Sequence, residues 1–156
     1  MPLLAASERR VSRFLLNAQT YRMVWRPLLR KETFTIDSKK LALRIASVAK
    51  SKKAQKVVVL DMREVSGFCD YFVISSGTSL RQVNAFAEAI QDDLEKDRIK
   101  SLSKASMNDE SGWVVLDYLS VIVHIFHAPM REFYSLERLW QDAKKVRSTP
   151  SPRRTA

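Results

Sequence analysis

The amino-acid sequence predicts a small α/β (α+β) domain in which a mixed β-sheet is flanked by helices. Two apolar stripes have helical spacing, two short apolar runs have the length of buried strands, and two further runs have the spacing of a hairpin. Only three glycines occur in the 156 residues, whereas a sandwich or barrel with many tight turns usually contains more. The predicted order is helix, strand, strand, helix, strand, strand, strand, helix.

The chain is predicted to divide into an extension, a domain and a tail. Residues 1–37 form a basic N-terminal extension that is expected to be flexible, and Pro27 stops any helix there. The domain occupies residues 38–146, and residues 147–156 form a disordered basic tail. The length fits one domain with tails, and 46% hydrophobic residues suffice for a core.

The first predicted elements are a helix and a buried strand. Asp37 or Ser38 can cap the N-terminus of the helix. Lysines at 50, 52 and 53 close it with charge that is favourable to the helix dipole. The apolar run within residues 56–61 predicts a strand buried on both faces. The core face of the helix has helical spacing: Leu41, Ile45, Val48 and Ala49.

A second buried strand and a second helix follow. Residues 70–75 predict the strand, and residues 76–78 interrupt the apolar pattern. Ser79 can cap the helix, with Gln82 three residues later as in a capping box. The core face of this helix is predicted to hold five apolar side chains: Val83, Phe86, Ala87, Ile90 and Leu94.

The C-terminal part predicts three strands and a helix. Residues 100–103 suggest a short edge strand, and residues 113–118 and 121–126 suggest an antiparallel hairpin. A two-residue loop usually contains Gly, Asn or Asp because it needs a positive φ. Leu119-Ser120 fits poorly, so a longer turn is the alternative. Residues 132–145 predict a final helix with four residues toward the core: Leu136, Leu139, Trp140 and Ala143.

The predicted register of the hairpin sorts its side chains onto two faces. One face is almost wholly apolar and should meet the core: Val114, Leu116, Tyr118, Val121, Val123 and Ile125. The other pairs residues of mixed polarity: Trp113 with Phe126, Val115 with His124, and Asp117 with Ile122. Trp is enriched among binding hot spots. Trp113 is therefore either a contact residue for a partner or a side chain covered by the final helix or the extension.

The positive charge lies mainly at the two ends of the chain. The formal net charge is +10, yet residues 41–146 contain 15 basic and 14 acidic side chains. Residues 1–40 contain nine Lys or Arg and three Asp or Glu, and residues 147–156 contain three Arg and no acid. A near-neutral middle does not resemble a nucleic-acid reading face. The ends could attract phosphate without sequence preference.

The residues of the chain do not predict catalysis. Neither His124 nor His127 accompanies a nucleophile in an elbow setting, and Cys69 has no cationic neighbour that would favour a thiolate. One cysteine and two histidines do not indicate a metal site, and no cofactor is implied. Residues 76–79 could hold a phosphate at a helix start. The carboxylate pair of a nucleotidyltransferase is missing, so a capped helix is the better interpretation and a nucleotide-binding module the alternative.

Cellular location is predicted to be cytoplasmic. A single cysteine allows no intrachain disulfide and favours a reducing compartment. No apolar run approaches the roughly 20 residues that span a bilayer, and the N-terminus lacks the apolar core of a secretory signal. It is, however, rich in Arg and poor in acid, with apolar residues at helical spacing, which resembles a mitochondrial presequence. A mitochondrial location is the alternative.

Three motifs resemble the hallmark segments of the ribosomal silencing factor family, also called RsfS, Iojap or YbeB. They are DYFVISSGTS at 70–79, WVVLDY with VIVHIF at 113–118 and 121–126, and REFYSLERLW at 131–140. The resemblance runs from about residue 38 to residue 146 in the order and spacing of the family. Leu119-Ser120 departs from it, because the family commonly has Gly-Asp there. So does the stretch before Trp113, which lacks the usual Glu-Gly pair.

The resemblance implies a nucleotidyltransferase-like fold that is not an enzyme. It implies binding to the fourteenth protein of the large ribosomal subunit at the intersubunit face, where the bound factor blocks subunit association and represses translation. The alternative is a large-subunit assembly factor, as in organellar relatives. Homodimers are also implied, and the basic tails could add weak contacts with ribosomal RNA. The implied partner-binding residues lie on the hairpin or at its turn: Trp113, Asp117, Tyr118, Leu119 and Ser120.

Overall fold

The computed structural model describes residues 36–103 and 110–148. The predicted tail beyond residue 148 and all but the last two residues of the extension lie outside these ranges. The described chain from Asp37 onward belongs to one compact unit. Its elements are α1 (Ser38–Ser51), β1 (Gln55–Asp61), β2 (Tyr71–Gly77), α2 (Leu80–Glu95), β3 (Trp113–Asp117), β4 (Val121–His127), α3 (Ala128–Tyr134), α4 (Leu136–Leu139) and β5 (Lys144–Val146).

Five strands form one mixed sheet in the order β3-β4-β2-β1-β5. The central strands β2 and β4 run parallel, and the other neighbouring pairs are antiparallel. Helices α1 and α2 pack on one face, whereas the other face is covered by α3, α4 and the connection between β1 and β2. Coverage of both faces explains why β2 is buried along its whole length. The predicted mixed α/β fold is confirmed.

The two long helices begin where their capping residues predict. Asp37 caps α1 by accepting a hydrogen bond from the backbone N–H of Lys39 at 3.0 Å. Ser79 caps α2 and accepts from the N–H of Gln82 at 3.2 Å. The Gln82 side chain reaches back to the N–H of Thr78 at 2.9 Å, a capping box displaced by one residue. The five predicted core residues of α2 are all buried.

The predicted final helix over residues 132–145 is wrong. Helix α3 ends at Tyr134 because Ser135 adopts a left-handed conformation with φ 44°, and α4 is a single turn. The chain then forms β5, whose residue Val146 lies opposite Val59 on the outer side of β1. Backbone pairing with a distant strand outweighs the local helical pattern there. Leu139, predicted to face the core, is 59% exposed.

The predicted edge strand at residues 100–103 is also absent from the described structure. This segment lies along the outer edge of β3 and makes one ladder-like bond, from the N–H of Leu102 to the carbonyl of Asp117 at 2.7 Å. The hydroxyls of Ser101 and Ser103 accept from the N–H of Asp117, each at 3.1 Å. Side-chain hydroxyls therefore replace the second strand of a ladder.

Strand β1 is less buried than its apolar run predicts. Among its residues, Val59 and Leu60 are buried, whereas Val57 and Val58 are half-buried. The pairing of β5 with β1 covers only residues 59–61 of β1. A register shift follows Gln55, and Lys56 has a positive φ of 47°. The first half of β1 therefore forms an open part of the sheet edge.

Candidate functional site

The β3–β4 hairpin has the register that the sequence predicts. Trp113 lies opposite Phe126, and Asp117 lies opposite Ile122. Trp113 and Asp117 therefore share a face of the sheet, about 14 Å apart along β3. The opposite face is buried against α1 and α2, as expected: Val114, Leu116, Tyr118, Val121, Val123 and Ile125.

Trp113 is half-buried and is held by aromatic side chains on three sides. Its Nε1 donates a hydrogen bond to Nδ1 of His124 at 3.2 Å. Its ring stacks on Phe126 with 5.1 Å between centroids and contacts Tyr134 of α3 at 4.8 Å. Helix α3 thus covers part of the indole of Trp113, while the rest of the indole surface stays accessible. The structure therefore shows that α3 covers part of Trp113, and contact of its accessible part with a partner stays a prediction.

His124 lies inside the sheet with 1% of its surface exposed. Burial lowers the pKa of its imidazole to about 3, so the ring is neutral near pH 7. Because Nδ1 accepts from Trp113, the proton of the neutral ring resides on Nε2. Nε2 has no hydrogen-bond partner within the described residues, and the ring packs edge-on against Phe72 at 4.6 Å. His124 is thus a supporting residue behind Trp113.

Sequence reasoning overlooked Phe133 and Tyr134. Phe133 is 51% exposed, and its ring meets that of Tyr134 edge-on at 5.2 Å. Tyr134 in turn contacts Trp113, so the three side chains form a continuous surface that we term the aromatic patch: Trp113, Phe133 and Tyr134. The signal was present in the sequence as the Phe-Tyr pair of the third motif, but that pair was assigned only to a helix.

The hairpin turn is a two-residue loop, so the longer turn considered above does not form. The N–H of Tyr118 donates to the carbonyl of Val121 at 2.9 Å, which closes the loop. Leu119 supplies the required positive φ, 68°, although it is not glycine. The carboxylate of Asp117 accepts from the N–H of Leu119 at 2.8 Å and supports this conformation. Asp117 therefore stabilises the turn through this hydrogen bond.

Tyr118 is not on the surface that carries Trp113. Its side chain is 6% exposed and belongs to the core beneath α1 and α2. Burial raises the pKa of its phenol above the usual range, and its hydroxyl lacks a hydrogen-bond partner within residues 36–103 and 110–148. The five residues implied by the resemblance thus do not form one patch, because Trp113 and the Leu119–Ser120 turn occupy opposite ends of β3.

The segment at residues 76–79 uses its polar groups internally. The buried hydroxyl of Ser76 accepts from Arg131 at 2.8 Å, and the N–H groups of Thr78 and Gln82 are bonded to side chains of the cap. A Cβ on Gly77 would lie 3.1 Å from Cβ of Gln82, so glycine permits close strand–helix packing. Two backbone donors at this helix start are therefore engaged within the cap. Within the described ranges, no group of three or more His, Cys, Asp or Glu could hold a metal.

Comparison with known proteins assigns this fold to a family. A family model described as "Ribosomal silencing factor during starvation" matches residues 35–156. The chain belongs to the ribosomal silencing factor family. The name of the family describes a regulator rather than an enzyme. Of the helices in the described ranges, none is long and apolar enough to cross a membrane.

Relatives within the ribosomal silencing factor family come from bacteria and from organelles. The Bacillus subtilis protein "Ribosomal silencing factor RsfS" is 40% identical over 107 residues, which cover 68% of this chain and 90% of that protein. The mouse protein "Mitochondrial assembly of ribosomal large subunit protein 1" is 30% identical and matches over 62% of this chain and 43% of its own length. A Bacillus halodurans crystal structure is 32% identical with a TM-score of 0.56, covering 69% of this chain and 94% of that chain.

Proposed function

We propose that this protein binds the large ribosomal subunit, prevents the small subunit from joining, and thereby represses translation. The observation that carries the proposal is the family match over residues 35–156, together with a relative that is 40% identical and named a ribosomal silencing factor. Steric occlusion needs a rigid body with a contact surface and requires no cofactor. A five-stranded sheet covered on both faces supplies such a body.

The contact would be made with the fourteenth protein of the large subunit, at the intersubunit face, through the aromatic patch. Large aromatic side chains dominate the energy of protein interfaces when they are held rigidly. Phe133 offers the most exposed ring of the patch. Trp113 is fixed from behind by its bond to His124. The Leu119–Ser120 turn, about 14 Å or more from Trp113 along β3, would lie at the rim of the contact.

Subunit binding is tested by sedimentation of the full-length chain with purified large subunits at low salt. We expect co-sedimentation and a reduced yield of joined ribosomes when small subunits are added. Absence of co-sedimentation would contradict the proposed function.

The aromatic patch is tested by Phe133→Ala, which removes an exposed ring without opening the core. We expect binding to weaken by about 2 kcal/mol, or roughly 30-fold. Leu139→Ala is the matched control, because Leu139 is a similarly exposed apolar residue outside the patch. Equal affinities of the two variants would remove the patch from the interface while leaving subunit binding itself intact.

A role in large-subunit assembly is the second candidate. It is favoured by the mouse relative, which is named for mitochondrial assembly of the large subunit. Both functions use the same contact with the subunit and differ in its timing. If the protein is an assembly factor, cells that lack it should accumulate incomplete large subunits during growth. If it is a silencing factor, such cells should contain normal subunits but an excess of joined ribosomes under starvation.

The proposed location follows the ribosomes that the protein binds. We propose the cytoplasm, with the mitochondrion as the alternative if residues 1–37 act as a presequence. Fluorescence microscopy of the full chain and of a chain without residues 1–37, each fused to a C-terminal reporter, distinguishes the two. A mitochondrial signal that disappears on deletion would contradict the cytoplasmic location.

A further inference from the structure

Exposed cations concentrate at the β1–β5 edge of the sheet, the edge opposite β3. The two segments that meet there, residues 50–56 and 143–148, contain seven Lys or Arg and no Asp or Glu. One of the seven, Lys144, pairs with Glu64 at 3.0 Å. The other six are exposed and have no ion pair with a carboxylate of the described residues. We term these six the basic edge: Lys50, Lys52, Lys53, Lys56, Lys145 and Arg147.

Tertiary structure brings these cations together from distant parts of the chain. Antiparallel pairing places Val146 of β5 opposite Val59 of β1, so Arg147 follows along the open half of β1. The ammonium group of Lys50 forms a hydrogen bond with the hydroxyl of Ser148, which joins the end of α1 to the chain after β5. Two carboxylates beside this edge form ion pairs with other cations: Asp61, the last residue of β1, binds Arg63, and Glu64 of the β1–β2 connection binds Lys144.

A groove runs along this edge between the open half of β1 and the residues after β5. It is about 440 Å³ in volume. It is lined by apolar residues of β1 and β5, among them half-buried Val57 and Val58, and by the cations Lys145 and Arg147. Apolar side chains beside cations match a nucleotide, which presents apolar sugar and base surfaces next to a phosphate. A membrane fits less well, because the valines are recessed and no large apolar side chain of the groove projects outward to enter a bilayer.

We propose that the basic edge binds the phosphate backbone of RNA without sequence preference. Five of its six side chains are lysines, which act as point charges rather than as readers of base edges. The edge lies four strand spacings, about 19 Å, from β3 and the aromatic patch. One domain would then hold a protein at one end of its sheet and RNA at the other. The choice of RNA over DNA rests on the proposed function; the binding measurement below does not.

The test is fluorescence anisotropy of the full-length chain with a labelled RNA hairpin over a series of salt concentrations. One variant replaces four residues of the basic edge with Gln: Lys52, Lys53, Lys145 and Arg147. The control replaces four exposed cations elsewhere with Gln and removes the same charge: Arg81, Lys96, Arg98 and Lys100. Each set includes one residue with a left-handed φ, Lys53 or Arg98. Both variants retain residues 1–37 and the two arginines at 153 and 154.

We expect the basic-edge variant to bind the hairpin at least about tenfold more weakly at low salt, with a salt dependence that is less steep by about 3 logarithmic units per decade. The control should change affinity less than about threefold. Equal weakening of both variants would show that net charge or the chain ends bind RNA and would overturn the proposal. Failure of the unaltered protein to bind the hairpin would also overturn it, as would tighter binding to phosphatidylglycerol vesicles than to RNA. None of these outcomes depends on co-sedimentation with large subunits, so this proposal and the proposed function can fail separately.

Discussion

The indole Nε1 of Trp113 donates a hydrogen bond to Nδ1 of His124 across the β3–β4 pair, with 3.2 Å between the two nitrogens. The bond requires Nδ1 to be unprotonated, and burial lowers the pKa of His124 to about 3. The folded protein therefore excludes a proton that the unfolded chain accepts at its ordinary pKa of 6.5. The orientation of half-buried Trp113 and the stability of the domain in acid thus depend on the same imidazole.

Stability should fall as the pH decreases from about 6.5 toward 3, because protonation of His124 then favours the unfolded state. The free energy of unfolding should decrease by up to about 1.4 kcal/mol per pH unit in this window and show no contribution from His124 above it. Urea unfolding of the unaltered protein and of His124→Gln, at several pH values between 7 and about 4.5, measures the difference in slope. His127→Gln keeps His124 and should keep the slope. Equal slopes in the unaltered protein and His124→Gln would contradict this account.

Leu119→Gly should leave stability unchanged or raise it by up to about 1 kcal/mol. Leu119 has a φ of 68°, where a Cβ is unfavourable, and relief of this cost is partly offset by the greater freedom of glycine in the unfolded chain. Ser120→Gly is the control, because Ser120 lacks a positive φ and should lose about 0.5–1 kcal/mol. Urea unfolding of both variants tests the prediction. A larger loss for Leu119→Gly than for Ser120→Gly would refute it.

Tyr118→Phe should retain or increase stability by up to about 1 kcal/mol and leave affinity for the large subunit unchanged. The variant removes a buried hydroxyl that has no hydrogen-bond partner among the described residues and keeps the packed ring. Tyr118→Ala should instead destabilise by about 3 kcal/mol, because it opens a cavity in the core. Thermal unfolding and sedimentation with large subunits measure the two effects. A loss of binding in a stable Tyr118→Phe protein would restore Tyr118 as a contact residue.

Glu137→Gln should destabilise the domain by about 2 kcal/mol, because it leaves a buried guanidinium without its counter-charge. The side chain of Arg131 is 8% exposed. Its Nε and Nη2 donate to Glu137, at 2.8 Å for Nε, and its Nη1 donates to Ser76. Glu132→Gln is the control, since Glu132 is an exposed carboxylate on α3 and should change stability by less than about 0.5 kcal/mol. Chemical denaturation of both variants and of the unaltered protein measures the difference in the free energy of unfolding. Equal effects would mean that the ion pair does not stabilise α3 and α4.

Local pattern was sufficient for much of the fold and for part of the site. The stripe of α2 and the alternation in β3 predicted which side chains are buried, because each of these elements buries one periodic face. The α1 stripe predicted Leu41, Ile45 and Ala49 correctly, whereas Val48 is half-buried. Strand β4 is buried on both faces. The predicted register already set Trp113 beside His124. The aromatic patch could not be obtained in this way, since it depends on α3 packing Tyr134 against Trp113 of β3, far away in the sequence.

The sequence by itself determined the family, the order of the central elements and the hairpin register, because these follow from motifs and from the periodic burial of neighbouring residues. Only the tertiary structure decided the last element and the distribution of charge. Lys144–Val146 forms a strand because β1 offers unpaired backbone groups, a partner that no local pattern contains. A near-zero charge sum over residues 41–146 likewise concealed the basic edge. Folding separates these cations from acids such as Asp93 and Asp97, which bind Arg44 elsewhere, and electrostatic potential depends on positions rather than on sums.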